Sequence, residues 1–192
     1  MKGYFKKRLY YDWVIYVGLA IVCVMLWYFA FSLFNAPAPT ETVKIFFGGT
    51  VKDYSFKDIV KAEMSAYGVK AVEISSCDPA DSVFKTKYST VGLNGCDVVI
   101  VSEDIADKTE CEGTFKEIEV SGDGYVRDGK VYGAYISDET KENLAAYFAF
   151  TDERYAAFIV LSSPNSGGDA LTDTAVVFLE FLNGYGKDKT AT

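Results

Sequence analysis

The sequence predicts a membrane-anchored α/β protein, with one N-terminal transmembrane helix followed by a single three-layer domain that has a mainly parallel sheet. Residues 13–34 carry no charge, and as a helix they span roughly 33 Å, enough to cross a hydrocarbon core of about 30 Å. From residue 43 onward, strand-like and helix-like segments alternate. The 158 residues after the span match one domain with one core.

The charges around the span predict its orientation. Four basic residues precede the span: Lys2, Lys6, Lys7 and Arg8. Residues 35–40, which follow the span, carry no charge. Because cytoplasmic flanks are enriched in Lys and Arg, the N-terminus is expected in the cytoplasm and the domain outside. The expected location is therefore the cell membrane, with a single span in contact with the lipid bilayer.

Two other readings of the span remain as alternatives. Residues 36–38, Ala-Pro-Ala, resemble a signal-peptide cleavage site. The apolar run is longer than the roughly 7–15 residues of a signal core, and Pro39 follows the site directly, so a permanent span is favoured. A lipid-modified Cys23 is disfavoured because Val22 stands where a small residue is expected and an apolar stretch continues after it.

Composition excludes several classes of function. The chain contains no histidine, which removes Ser-His-Asp and Cys-His catalysis and the zinc motifs that need imidazole. The net charge is −8, and because the first 34 residues hold four of the 19 basic and one of the 27 acidic side chains, the remainder carries −11. An acidic domain repels phosphate backbones, so a nucleic-acid partner is not expected.

Composition also predicts the organisation of the chain. A cytoplasmic basic head (residues 1–12) precedes the transmembrane helix (residues 13–34) and a Pro-rich linker (residues 35–42). An extracytoplasmic α/β domain (residues 43–184) and a disordered tail (residues 185–192) follow. The linker is expected to be stiff and extended because each proline restrains its neighbour.

The domain is predicted to open with a β-α-β unit. Residues 43–47 form a first strand that ends at Gly48 and Gly49. A helix follows, with Ser55 as its N-cap and Gly68 as its end, and residues 69–75 form a second strand. A strand, helix and strand in this order imply a parallel pair.

A second unit extends the sheet. Asp78 as a cap, Pro79 in the first turn and Asp81 near the positive end of the dipole predict a helix start, and this helix should end near residues 94–95. Residues 97–102 are apolar enough to form a strand buried on both faces.

The second half of the domain is less regular. Residues 115–120 are predicted as a short strand, residues 122–124 as a turn, and residues 130–136 as a strand after a turn at residues 128–129. Residues 138–150 fit either a helix capped by Asp138 or a hairpin arm, and the helix is favoured. Residues 154–162 are predicted as a strand, and residues 172–183 as a buried terminal helix.

Three cysteines lie in the domain, so at most one internal disulfide can form. Two outcomes remain open: three partly buried free thiols, or one disulfide bridge. If a bridge forms, Cys77 and Cys111 are the better pair, because both follow the carboxyl ends of predicted strands whereas Cys96 lies at the opposite edge.

The order of these motifs resembles a known family. The Gly-Gly strand end, residues 95–101 (Gly-Cys-Asp-Val-Val-Ile-Val), residues 129–133 (Gly-Lys-Val-Tyr-Gly) and residues 162–165 leading into residues 175–182 resemble the first lobe of bacterial extracellular solute-binding proteins of ABC transporters. The resemblance covers most of residues 43–184. It implies a periplasmic-binding-protein-like single lobe, and a small solute or a transporter subunit as partner.

The chain departs from that family in two respects. The family closes two lobes over its ligand, but here only about 20 residues separate residues 132–133 from the returning strand, which leaves no room for a second lobe. Family members are usually lipid-anchored or secreted, whereas this chain carries a span. Capture of a solute by lobe closure is therefore not expected.

The candidate ligand-binding residues follow the first three predicted strands. Ligands of open parallel sheets bind beyond the carboxyl ends of the strands, where the strand order reverses. The residues at this edge are Gly48, Gly49, Thr50, Ser75, Ser76, Ser102, Glu103 and Asp104. Glycine and serine after strands are also ordinary turn residues, and that reading competes with the functional one.

Other candidate sites are weaker. Asp104, Asp107, Glu110 and Glu112 form an acidic cluster whose spacing fits no calcium loop, so a solvated loop is favoured and neither a metal nor a cofactor is expected. Ser163 and Asn165 could offer donors to an anion, although helix capping is commoner.

Two classes of function follow. The first is a single-pass, membrane-anchored, non-catalytic binding or adaptor domain that could serve as an accessory of an ABC-type transporter. The second is a structural or assembly factor of a membrane complex in which the transmembrane helix is the functional element. An enzyme is not expected, because no nucleophile motif supports the adjacent carboxylates Glu103 and Asp104.

Overall fold

The computed structural model divides the chain into two compact units, residues 1–37 and residues 38–192. It describes residues 2–34, 36–120, 123–166 and 173–185, with side chains from residue 13 onward. The predicted disordered tail lies, from residue 186, outside the described residues.

The first unit is one long helix, α1 (Lys2–Phe34). Its segment Trp13–Phe34 is 22 residues long, has a mean hydropathy of 2.4, and is long and apolar enough to cross a membrane. Its large apolar side chains are exposed on all sides, with Trp27 at 75% and Phe34 at 89%. The predicted span is confirmed as a helix of the required length and composition.

The second unit alternates strands and helices. The strands are β1 (Thr42–Phe47), β2 (Thr50–Val51), β3 (Ala71–Ser76), β4 (Val98–Ser102), β5 (Gly124–Arg127), β6 (Lys130–Tyr135), β7 (Phe148–Ala149) and β8 (Tyr155–Ile159). The helices are α2 (Phe56–Met64), α3 (Phe84–Lys87), α4 (Glu103–Asp107), α5 (Asp138–Leu144) and α6 (Thr174–Gly184). A π-helical turn, Tyr88–Leu93, continues α3.

Six strands form one sheet in the order β3-β1-β4-β8-β6-β5. β1 is parallel to β3 and β4, while β8 is antiparallel to β4 and β6, and β5 is antiparallel to β6. Four of the six strands therefore run in one direction. The predicted α/β class and mostly parallel sheet are confirmed, with β8 and β5 reversed. β2 and β7 pair as a separate antiparallel ribbon.

Apolar side chains fill both faces of the sheet. One cluster contains Ile45 and Phe47 of β1 and packs against α2, α5 and α6. The other contains Phe46 of β1 and packs against α3 and α4. All five residues of β4 are buried, as predicted for a strand covered on both faces. Helices on both faces of a sheet give the predicted three layers.

The first predicted helix begins at Phe56 after Ser55, as expected, but its predicted cap bond is absent, and the predicted helix start at Asp78 is wrong. The Ser55 side chain makes no cap bond; instead the Asp53 carboxylate accepts bonds from the Ser55 amide (2.8 Å) and hydroxyl (2.7 Å). Asp78 accepts a bond from the Ala80 amide (2.9 Å), and regular helix begins only at Phe84. In both places a side-chain oxygen forms a local turn that competes with helix initiation.

The irregular middle of the chain differs most from the prediction. Within residues 115–120 only Phe115 forms a β-bridge, to Val160. β5 lies between the predicted turns at residues 122–124 and 128–129, where residues 125–127 had no prediction. Asp128 (φ 51°) and Gly129 (φ 80°) close a tight hairpin whose first arm was missed. The favoured helix at residues 138–150 exists as α5, but Ser137 caps it, and β7 follows.

The N-terminal linker and the cysteines also correct the prediction. Pro39–Glu41 is a 3₁₀ turn and not extended chain. Cys77, Cys96 and Cys111 are buried free thiols, so the Cys77–Cys111 bridge is not formed. Burial, reinforced by the neighbouring Asp97 charge, raises the pKa of the Cys96 thiol to about 12. These thiols pack as small apolar groups.

Candidate functional site

The carboxyl ends of four strands meet at one edge of the sheet. β1, β3, β4 and β6 all point toward it, and the reversed strand β8 begins there. The strand order reverses between β1 and β4, which is where ligands of open sheets bind. This carboxyl edge therefore holds all eight predicted residues.

The crevice at the reversal point is already filled by the chain itself. The Gly48 amide donates to the Ile100 carbonyl (2.8 Å), and a Cβ on Gly48 would lie 2.8 Å from a methyl of Val101. A Cβ on Gly49 would lie 2.6 Å from the Phe47 ring and 3.2 Å from the Ala149 carbonyl oxygen. The glycines allow close packing of the ribbon β2·β7 over β1, which supports the turn interpretation.

Thr50, Ser75 and Ser76 are dispersed along the same edge. Thr50 lies in β2 and donates to the Asp78 carboxylate (3.3 Å). Ser75 lines a small cavity of about 260 Å³ on the α3 side of the sheet. The Ser76 carbonyl accepts a bond from Lys87 Nζ (3.0 Å). These side chains do not converge on a common point.

The last residue of β4 and the two residues after it have different surroundings. Ser102 is buried and lies opposite Tyr155 of β8. Asp104 forms an exposed ion pair with Lys108 (2.6 Å), one helical turn away. Glu103 accepts a hydrogen bond from the Tyr135 hydroxyl at the end of β6. Of the eight predicted residues, Glu103 is the one that joins a polar cluster spanning several strands.

That cluster, called here the edge cluster, consists of Glu103, Asp123, Tyr135 and Arg154. The Arg154 guanidinium lies 3.7 Å from the centre of the Tyr135 ring and forms an ion pair with Asp123 (2.5 Å). Burial, together with the bond to Glu103, raises the pKa of the Tyr135 hydroxyl to about 12. Tyr135 therefore stays a neutral donor at physiological pH.

A cleft of about 740 Å³ opens beside the edge cluster. Tyr135, Asp123 and Arg154 line it together with residues from the sheet, from α5, from α6 and from residues 118–120. Its size is in the range of small-molecule sites. None of the eight predicted residues lines this cleft.

Sequence reasoning missed Tyr135 and Arg154 as site residues. The strand at residues 130–136 was predicted, and the same rule of carboxyl strand ends would have placed its last residues at the edge. Arg154 had no comparable signal, because it precedes a strand, and only the reversed direction of β8 brings it to this edge.

Two of the four acidic residues in the predicted acidic cluster, Asp104 and Asp107, form bonds with neighbouring side chains. Asp104 binds Lys108, and Asp107 accepts a bond from the Tyr125 hydroxyl (2.7 Å). Within the described part of the chain no group of three or more metal-ligating side chains occurs. All four acidic residues are exposed, as predicted for a solvated segment, but Asp104 and Asp107 belong to α4 and not to a loop.

The predicted anion donors at the start of the last loop have a structural role. The buried Asp97 carboxylate accepts bonds from the Lys44 amide (2.7 Å) and from the Ser163 hydroxyl. Asn165 donates to the carbonyl groups of Thr42 (2.9 Å) and Pro39 (3.2 Å). This buried network joins the loop after β8 to the starts of β1 and β4. It lies at the amino-end edge of the sheet, opposite the carboxyl edge.

Comparison of the chain with protein-family models, with curated proteins and with solved structures gave no match. The resemblance to solute-binding proteins gains no support from relatives. Function must therefore be inferred from the edge cluster and the cleft.

Proposed function

We propose that this chain is a single-pass membrane protein with a cytoplasmic N-terminus, whose extracytoplasmic domain binds a small solute or a neighbouring membrane protein without catalysis. In this proposal the domain acts as a one-lobe module similar to solute-binding proteins and serves an ABC-type transporter. The observation that carries it is the edge cluster at the carboxyl edge of the sheet, beside an open cleft that extends from there across the face of β6 and β8.

The bonding of the edge cluster favours binding over catalysis. Glu103 accepts a bond from Tyr135 and Asp123 pairs with Arg154, so the charges of the cluster are held in fixed positions. Such a constellation offers a fixed pattern of charge to a partner.

The open side of the cleft favours a partner that completes the site. Only residues 136–154 separate β6 from β8, and they contain α5 and β7 and no second lobe. Small ligands bind firmly when most of their surface is buried. A neighbouring membrane protein could supply the missing wall.

Site-specific photo-crosslinking in native membranes tests the proposal. A benzophenone side chain is placed at Asp104, on the carboxyl edge, and in a second protein at Lys70, just before β3 at the amino-end edge. We expect a discrete adduct from position 104 that weakens when Glu103→Gln or Ser102→Ala is added. Equal adduct patterns from both positions, unchanged by these substitutions, would contradict it.

A structural role for the span is the second candidate. The exposed apolar side chains of α1 surround the helix on all sides, so any face could contact another span. Replacing residues 13–34 with an unrelated apolar helix separates the two roles. The binding proposal predicts retained function, whereas the assembly role predicts its loss.

A further inference from the structure

We propose that the cleft binds a small organic cation with an apolar body, such as an amine bearing an alkyl or aromatic group. The inference names a ligand class for the binding role proposed above and rests on it. Three features of the cleft carry it: its apolar floor, the pairing of its cations, and its two unpaired carboxylates.

The floor of the cleft accepts an apolar group. Side chains from β6, β8, α6 and the segment before β5 form it: Ile118, Ala134, Ile136, Ile159, Val176 and Leu179. A volume of about 740 Å³ accommodates a ring or a short alkyl chain. Ala134, Ile136, Ile159 and Leu179 are at most 4% exposed, so the apolar surface that a ligand covers belongs mainly to the partly exposed Ile118, Val120 and Val176. Its removal from water supplies the non-directional part of the affinity.

Both cations that line the cleft are already neutralised. Arg154 is paired with Asp123 (2.5 Å) and stacks on Tyr135. Lys141 donates to the Asp138 carboxylate (3.0 Å) and to the Glu153 carbonyl (3.2 Å), and its side chain is only 15% exposed. An anionic ligand would have to share both cations with these carboxylates.

Two carboxylates in the cleft have no cationic partner among the residues that the structure describes. Glu119 and Glu180 line the cleft and, among the described residues, form no ion pair. Four acidic and two basic side chains line the cleft, so it carries an excess of two negative charges. This field attracts a cation and repels an anion.

The test is a titration of the full chain in detergent, read at the δ1-methyl groups of isotope-labelled isoleucines. The probes are 2-phenylethylamine, the neutral 2-phenylethanol and the anionic phenylacetate. We expect the amine to shift the methyl signals of Ile118, Ile136 and Ile159, and to leave Ile45 and Ile74 unmoved. The alcohol should bind more weakly and the anion not at all.

Substitutions that keep shape but remove charge sharpen the test. Glu119→Gln and Glu180→Gln should each weaken amine binding roughly two- to fivefold, the range for partly exposed ion pairs, without changing alcohol binding. Glu63→Gln is the matched control, because Glu63 is an exposed helical carboxylate remote from the cleft. Amine affinity should be unchanged in this variant.

Three results would overturn the inference. They are equal binding of amine and anion, shifts confined to Ile15 and Ile21 of the span, which report partitioning into detergent, and identical affinities in all three Gln variants. The inference and the proposed function fail separately. Absence of amine binding with a specific adduct from position 104 removes only the ligand class, whereas localised amine binding without any adduct removes the transporter partner and leaves a solute site.

Discussion

Replacing Gly133 with alanine should destabilise the domain by about 1–2 kcal/mol, the balance of two opposing effects. A Cβ at this position would lie 2.7 Å from two ring atoms of Phe158 and 3.0 Å from the Ala157 carbonyl oxygen. Phe158 is fully buried, and its ring contacts Phe115 (centroids 4.5 Å apart) and Tyr125 (5.1 Å). The ring cannot retreat, so overpacking of about 1–3 kcal/mol exceeds the roughly 0.4–1 kcal/mol gained from a less flexible unfolded chain.

Thermal unfolding of the full chain in detergent measures this loss. For a domain of this size each kcal/mol corresponds to about 2–4 °C, so the midpoint should fall by roughly 2–8 °C. Gly184→Ala is the control, because no atom lies within 4 Å of its Cβ. It should unfold at or slightly above the parent temperature. A Gly133→Ala protein indistinguishable from the parent would refute the packing of β6 against β8.

Three further predictions concern buried polar groups. Asp97→Ala leaves the Lys44 amide and the Ser163 hydroxyl without their acceptor and should lower the free energy of unfolding by about 3 kcal/mol. The same thermal unfolding measures this loss, with the milder Asp97→Asn as control. Equal losses in both variants would contradict the prediction. A double-mutant cycle of Glu103→Ala and Tyr135→Phe should give a coupling of about 1 kcal/mol, and additivity would show that the bond is absent. Burial raises the pKa of the Cys96 thiol from 9.0 to about 12. A variant that keeps only this cysteine should therefore react with iodoacetamide at pH 8 about a thousandfold more slowly when folded than in urea. Equal rates in the two states would contradict the prediction. The same shift means that the contribution of the Cys96 thiol to stability is full below pH 9 and is lost between pH 9 and pH 12, where only the unfolded thiol ionises.

The sequence predicted the first half of the domain well because its signals are local. Apolar runs mark β1 and β4, an apolar face marks α2, and Gly48, Gly68 and Gly95 separate these elements, so the predicted bounds of β1, α2, β3 and β4 agree with the structure within a few residues. The failures there are turns in which Asp53 and Asp78 bond nearby amides, a choice that sequence alone does not distinguish from capping.

The second half depends on pairing between distant segments. Thr50 pairs with Ala149, and Phe115 bridges to Val160, so these short pieces are strands only in the folded context. The β2·β7 ribbon formed in this way fills the crevice at which the ligand site was predicted. The cleft lies instead beside β6 and β8, where a reversed strand brings Arg154 to the carboxyl edge.

Hydrogen exchange of the full chain in native membranes, compared with the purified protein in detergent, tests most directly whether the domain binds through the carboxyl edge. We predict slower exchange in membranes for residues 103–107 and 135–141, with no change for residues 39–41 and 94–97 at the amino-end edge. Exchange that is identical in the two preparations, or protection confined to the amino-end edge, would contradict the account.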